Sequence, residues 1–121
     1  MSAMALPERY DGDDFYCDVA FPNLDALDVV ERGEHVVAFR HTRPYWEHHL
    51  VVVPFKHIRS LTTLGPEDVE VATELLKVVT RVAAAVEREH GAARVLTNLG
   101  RYQDSKHLHV HVGAGAVVGG G

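Results

Sequence analysis

The chain has 121 residues, 46% hydrophobic and 24% charged, which is typical of one compact soluble domain and too apolar for a disordered chain. Its net charge of −5 argues against a general nucleic-acid or anionic-membrane binder, and its single cysteine excludes an internal disulfide. No apolar run approaches the ~18 residues of a membrane span, and no secretory leader pattern is present, so we expect a cytoplasmic location. One number stands apart, because nine residues are histidine.

The first half of the chain predicts an arm followed by strands. Residues 1–14 are polar and predict a loosely ordered arm, and the apolar segment 15–21 predicts a short strand or a docking segment. Two apolar stretches around a glycine turn predict a β-hairpin, with strands at 29–31 and 35–40. The valine-rich run His49–Val53, ended by a proline, is typical of a buried strand.

The strongest prediction is one long helix over 66–89. Pro66 and the acidic residues after it suit the first turn of a helix, and Gly91 is typical of the residue just past a helix end. Apolar residues at three- to four-residue spacing predict which face is buried, namely Val69, Ala72, Leu76, Val79, Ala83 and Val86.

Two further strands are predicted after the helix, at 94–99 and 108–112. Strands joined by short loops, with one helix crossing them, predict an α+β domain with a mostly antiparallel sheet of about five strands and an additional short helix. This single domain is predicted to span residues 15–113. The Gly- and Ala-rich residues 114–121 predict a flexible tail.

Three histidines, His107, His109 and His111, alternate with Leu108 and Val110. In an extended stretch, period two places the three imidazoles on one face, about 6.5–7 Å apart at the backbone. Neutral imidazole is the commonest zinc ligand, so the row is one candidate for a metal site. Neutral imidazole is also a nucleophile that attacks phosphorus without an activating base. The row alone does not decide between these two chemistries.

The residues around the row resemble the histidine triad (HIT) family, whose hallmark alternates three histidines with apolar residues. The hallmark stands here as HLHVHVG, and the stretch NLGRYQDSK before it extends the match. A second matching stretch lies in the middle of the chain, AFRHTRPYWEHHLVVVPFKHI. The resemblance covers roughly residues 15–113 and implies a HIT-like fold and a nucleotidyl hydrolase or transferase that acts on an α-phosphate.

The resemblance also implies site residues. His109 would attack phosphorus and form a covalent nucleotidyl-histidine that water then cleaves, and His107 would orient His109 and fix its tautomer. His111 would contact phosphoryl oxygens or bridge toward the nucleophile, and His49 would support the triad. His57 matches another recurrent histidine, for which a structural and a site role both stay open. Substrate-binding roles are implied for Phe39, His41, Asn98, Gly100, Gln103, Asp104 and Ser105.

Two positions depart from the family pattern. His41 stands where the nucleotide-binding branch commonly has an aspartate for the ribose hydroxyls, and a neutral imidazole cannot make that bidentate contact. Asp104 stands where a hydroxyl residue often serves the leaving group, and an ionised carboxylate there repels phosphate. Ser105 substitutes for that hydroxyl, or Asp104 is protonated, or the leaving group is unusual. The family sometimes carries a structural zinc, but the lone Cys17 gives no sign of one, and we predict no metal or cofactor.

The leading prediction is hydrolysis of a phosphoanhydride or phosphoramidate of a nucleotide, with a purine preference implied by the resemblance alone. A nucleotide-binding sensor or partner module with little turnover is the alternative, motivated by His41 and Asp104. A metal hydrolase with histidine ligands is the third hypothesis. We expect a nucleotide or nucleoside phosphate substrate, a homodimer, and neither membrane nor general nucleic-acid binding.

Overall fold

The computed structural model describes residue 6 and residues 10–118, so most of the predicted arm and residues 119–121 lie outside the described part. Within that part, five strands form one antiparallel sheet in the order β1-β2-β3-β5-β4. The strands are β1 (Val29–Arg32), β2 (Val36–Arg40), β3 (Trp46–Pro54), β4 (Arg94–Leu96) and β5 (Val110–Val117), and the long helix is α1 (Val69–His90). The predicted α+β class is confirmed. None of the helices in the described residues combines the length and apolar character that crossing a membrane requires.

Helix α1 has the predicted extent but buries a different face. It ends at Gly91, whose φ of 80° lies in the left-handed region that favours glycine. The buried residues are Val71, Leu75, Val78, Val82 and Val86. The predicted face was partly wrong, since Val69 is 62% and Leu76 is 68% exposed, whereas Val86 is buried and Val79 and Ala83 pack against the core as predicted. Apolar residues surround much of this helix, and the stripe made only of valine and leucine buries more apolar area than one that contains alanines.

Both faces of the central strands are covered. Along β2, Val36 and Ala38 pack in the core that contains α1, whereas Val37 and Phe39 pack against the N-terminal segment. That segment folds into helical turns, at Tyr16–Ala20 and Phe21–Ala26, so of its two predictions the docking segment is confirmed and the short strand is wrong. The continuous apolar run of β3 is therefore buried on both sides. His107 and His109 lie in the layer beside the N-terminal segment, where their rings contact Tyr16.

Strand β5 is longer than predicted. Residues 114–117, predicted as part of a flexible tail, continue the strand beside Trp46 and His48. The guanidinium of Arg94 donates to the Gly115 carbonyl at 2.8 Å. A Cβ added at Gly113 would lie 2.5 Å from the Trp46 ring and from the His48 carbonyl. The small residues of this stretch therefore serve close packing, a purpose that composition alone does not distinguish from flexibility.

Candidate active site

A cavity of about 520 Å³ opens where β5 begins and the N-terminal segment covers the sheet. Six predicted site residues line it, namely Phe39, His41, Asp104, Ser105, His109 and His111. Aromatic rings of the N-terminal segment, at Tyr10, Phe15 and Tyr16, supply an apolar wall that sequence reasoning did not assign to the site. The cavity thus combines two histidines of the row with a wall suited to a flat apolar group.

His109 is held as a neutral ring with a lone pair on one nitrogen. Its ring is buried against Tyr16, with the two centroids 5.0 Å apart. Its Nδ1 lies 2.6 Å from the backbone carbonyl oxygen of His107, so Nδ1–H donates and the lone pair of the neutral ring is on Nε2. Burial lowers the pKa of His109, which keeps the ring neutral at pH 7. Because His109 lines the cavity, Nε2 is the nitrogen available to a bound substrate.

His49 and His111 form a short chain of hydrogen bonds beside it. The backbone N–H of Tyr45 donates to Nδ1 of His49 at 2.9 Å, so the proton of neutral His49 is on Nε2. That Nε2 donates to Nδ1 of His111 at 2.9 Å, which leaves His111 with its proton on Nε2. Burial lowers the pKa of His49 to about 4 and that of His111 to about 3. The chain therefore ends in an N–H donor on His111, whose ring centroid is 4.8 Å from that of His109.

His41 is fixed in the same way. The backbone N–H of Arg43 donates to its Nδ1 at 3.0 Å, so its proton is on Nε2. Its ring stacks on that of His49, with centroids 4.3 Å apart and planes 21° apart. Burial lowers the pKa of His41 to about 4, so the ring is neutral at pH 7.

Nitrogen atoms of His41, His49 and His111 lie within 4.8 Å of one another, a spacing compatible with a metal ion. A metal ligand must offer a lone pair, however, and the amides that donate to Nδ1 of His41 and His49 leave a proton on each Nε2. These three rings therefore present hydrogen-bond donors. This tautomer assignment weakens the hypothesis of a metal hydrolase at the cavity.

His107 occupies a different environment, fully buried and outside the cavity lining. Its Nε2 donates to the Pro54 carbonyl at 2.8 Å, which leaves the lone pair on Nδ1. Nδ1 faces Oδ2 of Asp14 at 3.1 Å and Sγ of Cys17 at 3.5 Å. The same Asp14 oxygen lies 2.6 Å from Nδ1 of His57. Burial opposes ionisation of Asp14, but hydrogen bonds from Cys17, and from His107 when its Nδ1 also carries a proton, lower its pKa to about 2.

A carboxylate oxygen facing a lone pair requires a cation between them, either a second ring proton or a metal ion. Asp14, Cys17, His57 and His107 offer ligand atoms within 4.8 Å of one another, and their types are those that zinc binds. Donation of the other ring N–H to a backbone carbonyl is also the usual support of a zinc-ligating histidine. The four residues therefore fit a structural zinc ion. The sequence singled out His57 and His107 but not this grouping, because the four residues come from three separate segments and a lone cysteine gave no sign of a zinc site.

The remaining predicted substrate-binding residues lie outside the cavity lining. Gln103 is buried, and its side-chain amide donates to the Arg59 carbonyl at 2.6 Å, which holds the loop before the histidine row. Gly100 has a φ of 63°, in the left-handed region, and its carbonyl accepts from the side chain of Lys106. Asn98 lies half-buried just before this turn. The structure gives Gln103 and Gly100 places in the loop, and the phosphate-binding roles of all three stay predictions.

Comparison with known proteins agrees with this geometry. Residues 9–119 match the family model described as "Scavenger mRNA decapping enzyme C-term binding". The chain is 26% identical over 108 residues to adenosine 5'-monophosphoramidase HINT3 of Xenopus tropicalis, covering 85% of this chain and 68% of that protein. It is 39% identical over 88 residues to an AP-4-A phosphorylase of Mycobacterium tuberculosis, covering 69% of this chain and 44% of that protein.

A solved structure extends the similarity to three dimensions. A HIT family hydrolase from Legionella pneumophila superposes with a TM-score of 0.71 at 26% identity. The match covers 85% of this chain and 93% of that one. The fold, the sequence relatives and the family model therefore all indicate the same protein family.

Proposed function

Since the chain belongs to the histidine triad family, we propose that it is a nucleotide hydrolase that cleaves a phosphoramidate or phosphoanhydride at the α-phosphate, through a covalent nucleotidyl-histidine. The observation that carries the proposal is the state of His109. Its Nδ1–H is held by the His107 carbonyl, so Nε2 bears the lone pair inside a cavity of nucleotide size. The names of two relatives, a monophosphoramidase and an AP-4-A phosphorylase, support both leaving-group classes.

In the first step, Nε2 of His109 attacks the α-phosphorus, and the bond from phosphorus to the leaving nitrogen or oxygen breaks. The leaving atom takes a proton from water, relayed by the Ser105 hydroxyl in the cavity wall. The Nε2–H of His111 donates to a phosphoryl oxygen as negative charge develops there. Because His49 fixes that proton in advance, no reorganisation is needed when the substrate reacts.

In the second step, water attacks phosphorus and His109 departs. The imidazole leaves as a neutral ring, with its proton still on Nδ1 and donated to the His107 carbonyl. The proton of the attacking water goes to solvent, and the product is a nucleoside monophosphate. Division of one displacement into two easier ones is the usual gain of covalent catalysis.

The test is to trap the intermediate. The protein is mixed with adenosine 5'-phosphoramidate or diadenosine tetraphosphate, quenched at alkaline pH and digested, and an adenylyl adduct is sought on the peptide with His109. We expect the adduct in the wild type, and in His109→Ala no adduct and turnover at least about a thousandfold lower. His48→Ala is the matched control, since His48 stacks on His90 outside the cavity and should leave turnover unchanged.

An adduct on another residue, or full turnover by His109→Ala, would contradict the mechanism. Nucleotide binding without turnover across both substrate classes would favour the sensor or partner module instead. The homodimer and the cytoplasmic location stay predictions.

A further inference from the structure

The formal charges in the cavity wall belong to two of the described residues, Arg43 and Asp104. Burial lowers the pKa of His41, His109 and His111, so these rings are neutral at pH 7 and offer hydrogen bonds without a charge. Arg43 already has an interaction partner, so its guanidinium is not a free counter-charge for a substrate. The charged group of the wall that remains for a substrate to meet is the carboxylate of Asp104.

Asp104 has no cationic partner inside the described part of the chain. Its side chain is exposed, and none of the ion pairs formed there includes it. The ammonium of Lys106, two residues away, donates instead to the carbonyls of Gly100 and Gln103, at 3.1 and 2.7 Å. The carboxylate of Asp104 can therefore pair with a group that enters the cavity.

The charge of Asp104 acts across the cavity. Burial is the main influence on the pKa values of Tyr16, His41 and His109, and the charge of Asp104 also acts on each of them. These three residues come from separate segments of the chain around the cavity. A cavity of about 520 Å³ is roughly 10 Å across, which is about one Debye length at ~0.1 M salt. A charge held inside it is therefore only partly screened from Asp104.

The proposed mechanism places the leaving group on the side of Asp104. In that mechanism Ser105 relays a proton to the leaving atom, and Asp104 is its neighbour in the chain, about 3.8 Å away at Cα, in the same cavity wall. A leaving group that contains further phosphates brings negative charge to this carboxylate, whereas an amine with a second, protonated amino group brings positive charge. The wall therefore repels the first kind of leaving group and attracts the second.

We propose that Asp104 determines specificity, favouring nucleotide phosphoramidates with a cationic amine as the leaving group over dinucleoside polyphosphates. The inference rests on the proposed function for the position of the leaving group, and it goes further by naming the substrate class. In the first step the bond from phosphorus to nitrogen breaks and the leaving nitrogen takes its proton through Ser105. The distant ammonium of the amine keeps its own proton throughout.

The experiment compares two phosphoramidates that differ by one charge. One carries butylamine on the phosphate of AMP, and the other carries 1,4-diaminobutane, whose free amino group is protonated at pH 7. At low ionic strength we expect kcat/KM to be about fivefold higher for the diaminobutane derivative, the upper range for an exposed charge pair. This preference should shrink as salt is added, because salt screens an exposed pair.

Variants assign the preference to Asp104. Asp104→Asn should bring the ratio of the two kcat/KM values to about one, and should raise kcat/KM for diadenosine tetraphosphate about fivefold relative to the butylamine derivative, because the repulsion is removed. Asp104→Glu keeps the charge and should keep most of the preference. Glu34→Gln is the matched control, since it removes one negative charge from a side chain that is 83% exposed and outside the cavity lining, and it should leave both ratios unchanged.

Equal kcat/KM of the wild type for the two phosphoramidates would overturn the inference, as would a preference that Asp104→Asn retains or that Glu34→Gln also removes. Failure of the proposed function has a different signature. Absence of turnover of all three substrates would contradict the proposed function and the inference with it, whereas turnover of all three without a preference would sink the inference alone.

Discussion

His107 and His109 differ from His41 and His49 in the backbone group that holds each ring. In the first pair a ring N–H donates to a backbone carbonyl, so the other nitrogen keeps its lone pair. In the second pair a backbone N–H donates to Nδ1, so the other nitrogen carries the proton. All four rings lie in one small region, and His107 and His109 belong to the alternating row. The third member of the row, His111, is of the other type, because its Nδ1 accepts from His49 and its proton is on Nε2. The row therefore contains groups with opposite chemistry.

The difference teaches that a histidine's neighbours in the fold, rather than its place in a motif, decide what it can do. In the neutral ring, a lone pair gives His109 the nitrogen that the proposed mechanism needs and makes His107 a candidate metal ligand. A proton makes His41 a donor in the cavity wall and makes His49 a support for the donor on His111. Exchange of one backbone partner would convert one type into the other.

The largest effect on activity, after removal of the nucleophile, is expected from breaking the donor chain at His49. In His49→Ala, Nδ1 of His111 loses its donor and its proton is no longer fixed on Nε2, so kcat should fall roughly a hundredfold. His49→Gln should retain kcat within about tenfold, since its oxygen can accept from Tyr45 and its amide can donate to His111. Steady-state kinetics with adenosine 5'-phosphoramidate makes the comparison.

The control for this series is His48→Ala, the neighbouring histidine of β3 outside the cavity lining. If His49→Ala keeps the wild-type kcat, then His49 does not fix the proton of His111. The comparison then fails for the rings that carry their proton on Nε2. A loss confined to KM would assign His49 to substrate binding instead.

The next prediction concerns stability and His107, one of the two rings that keep a lone pair. If Nδ1 of His107 binds zinc together with Asp14, Cys17 and His57, then protein made without a tag contains one zinc ion per chain. Its removal by a chelator should cost about 3 kcal/mol, on the order of 10 °C in Tm. Cys17→Ser and His57→Gln should reduce the zinc content, measured by elemental analysis, whereas His41→Gln should not.

Full zinc retention by Cys17→Ser or His57→Gln would show that the metal is elsewhere. Protein that binds no zinc would mean that a second ring proton, rather than a metal ion, lies between His107 and Asp14. In either case the kcat of folded Cys17→Ser should stay near the wild-type value, because Cys17 does not line the cavity.

Sequence reasoning could predict the α+β fold, the long helix and the row of histidines because each depends on local periodicity. It predicted that His109 and His111 are neighbours, and both line one cavity, while their catalytic roles stay predictions. It could not predict tautomers, because they depend on which backbone group each ring reaches in the folded chain. For His107 that group is the distant Pro54 carbonyl, and for His41 and His49 it is an N–H only two and four residues away whose orientation the sequence does not reveal. The buried face of α1 was predicted only in part for a related reason, because only packing against the sheet selects among several apolar stripes.

The last prediction, which tests the three rings with an Nε2–H donor together, is the pH dependence of stability. Burial lowers the pKa of His41 and His49 to about 4 and that of His111 to about 3, below the ordinary 6.5. Between pH 6.5 and 4 the unfolded chain therefore binds protons that the folded chain does not, so stability falls as the pH falls and changes little above pH 7. The lowered pKa of Asp14, about 2, acts only at lower pH.

Urea unfolding at pH 7 and at pH 5 measures this loss, and His41→Asn should reduce it by removing one of the three groups. His48→Asn is the control, because His48 lies outside the cavity. This variant should keep the loss of stability between pH 7 and pH 5 that His41, His49 and His111 cause. A wild type equally stable at pH 5 and pH 7 would mean that none of the three rings is held neutral. A variant with the wild-type slope would mean that His41 is not held neutral. The donor on its Nε2 would then be a consequence of ordinary protonation, and the distinction between the two pairs of rings would rest on His49 alone.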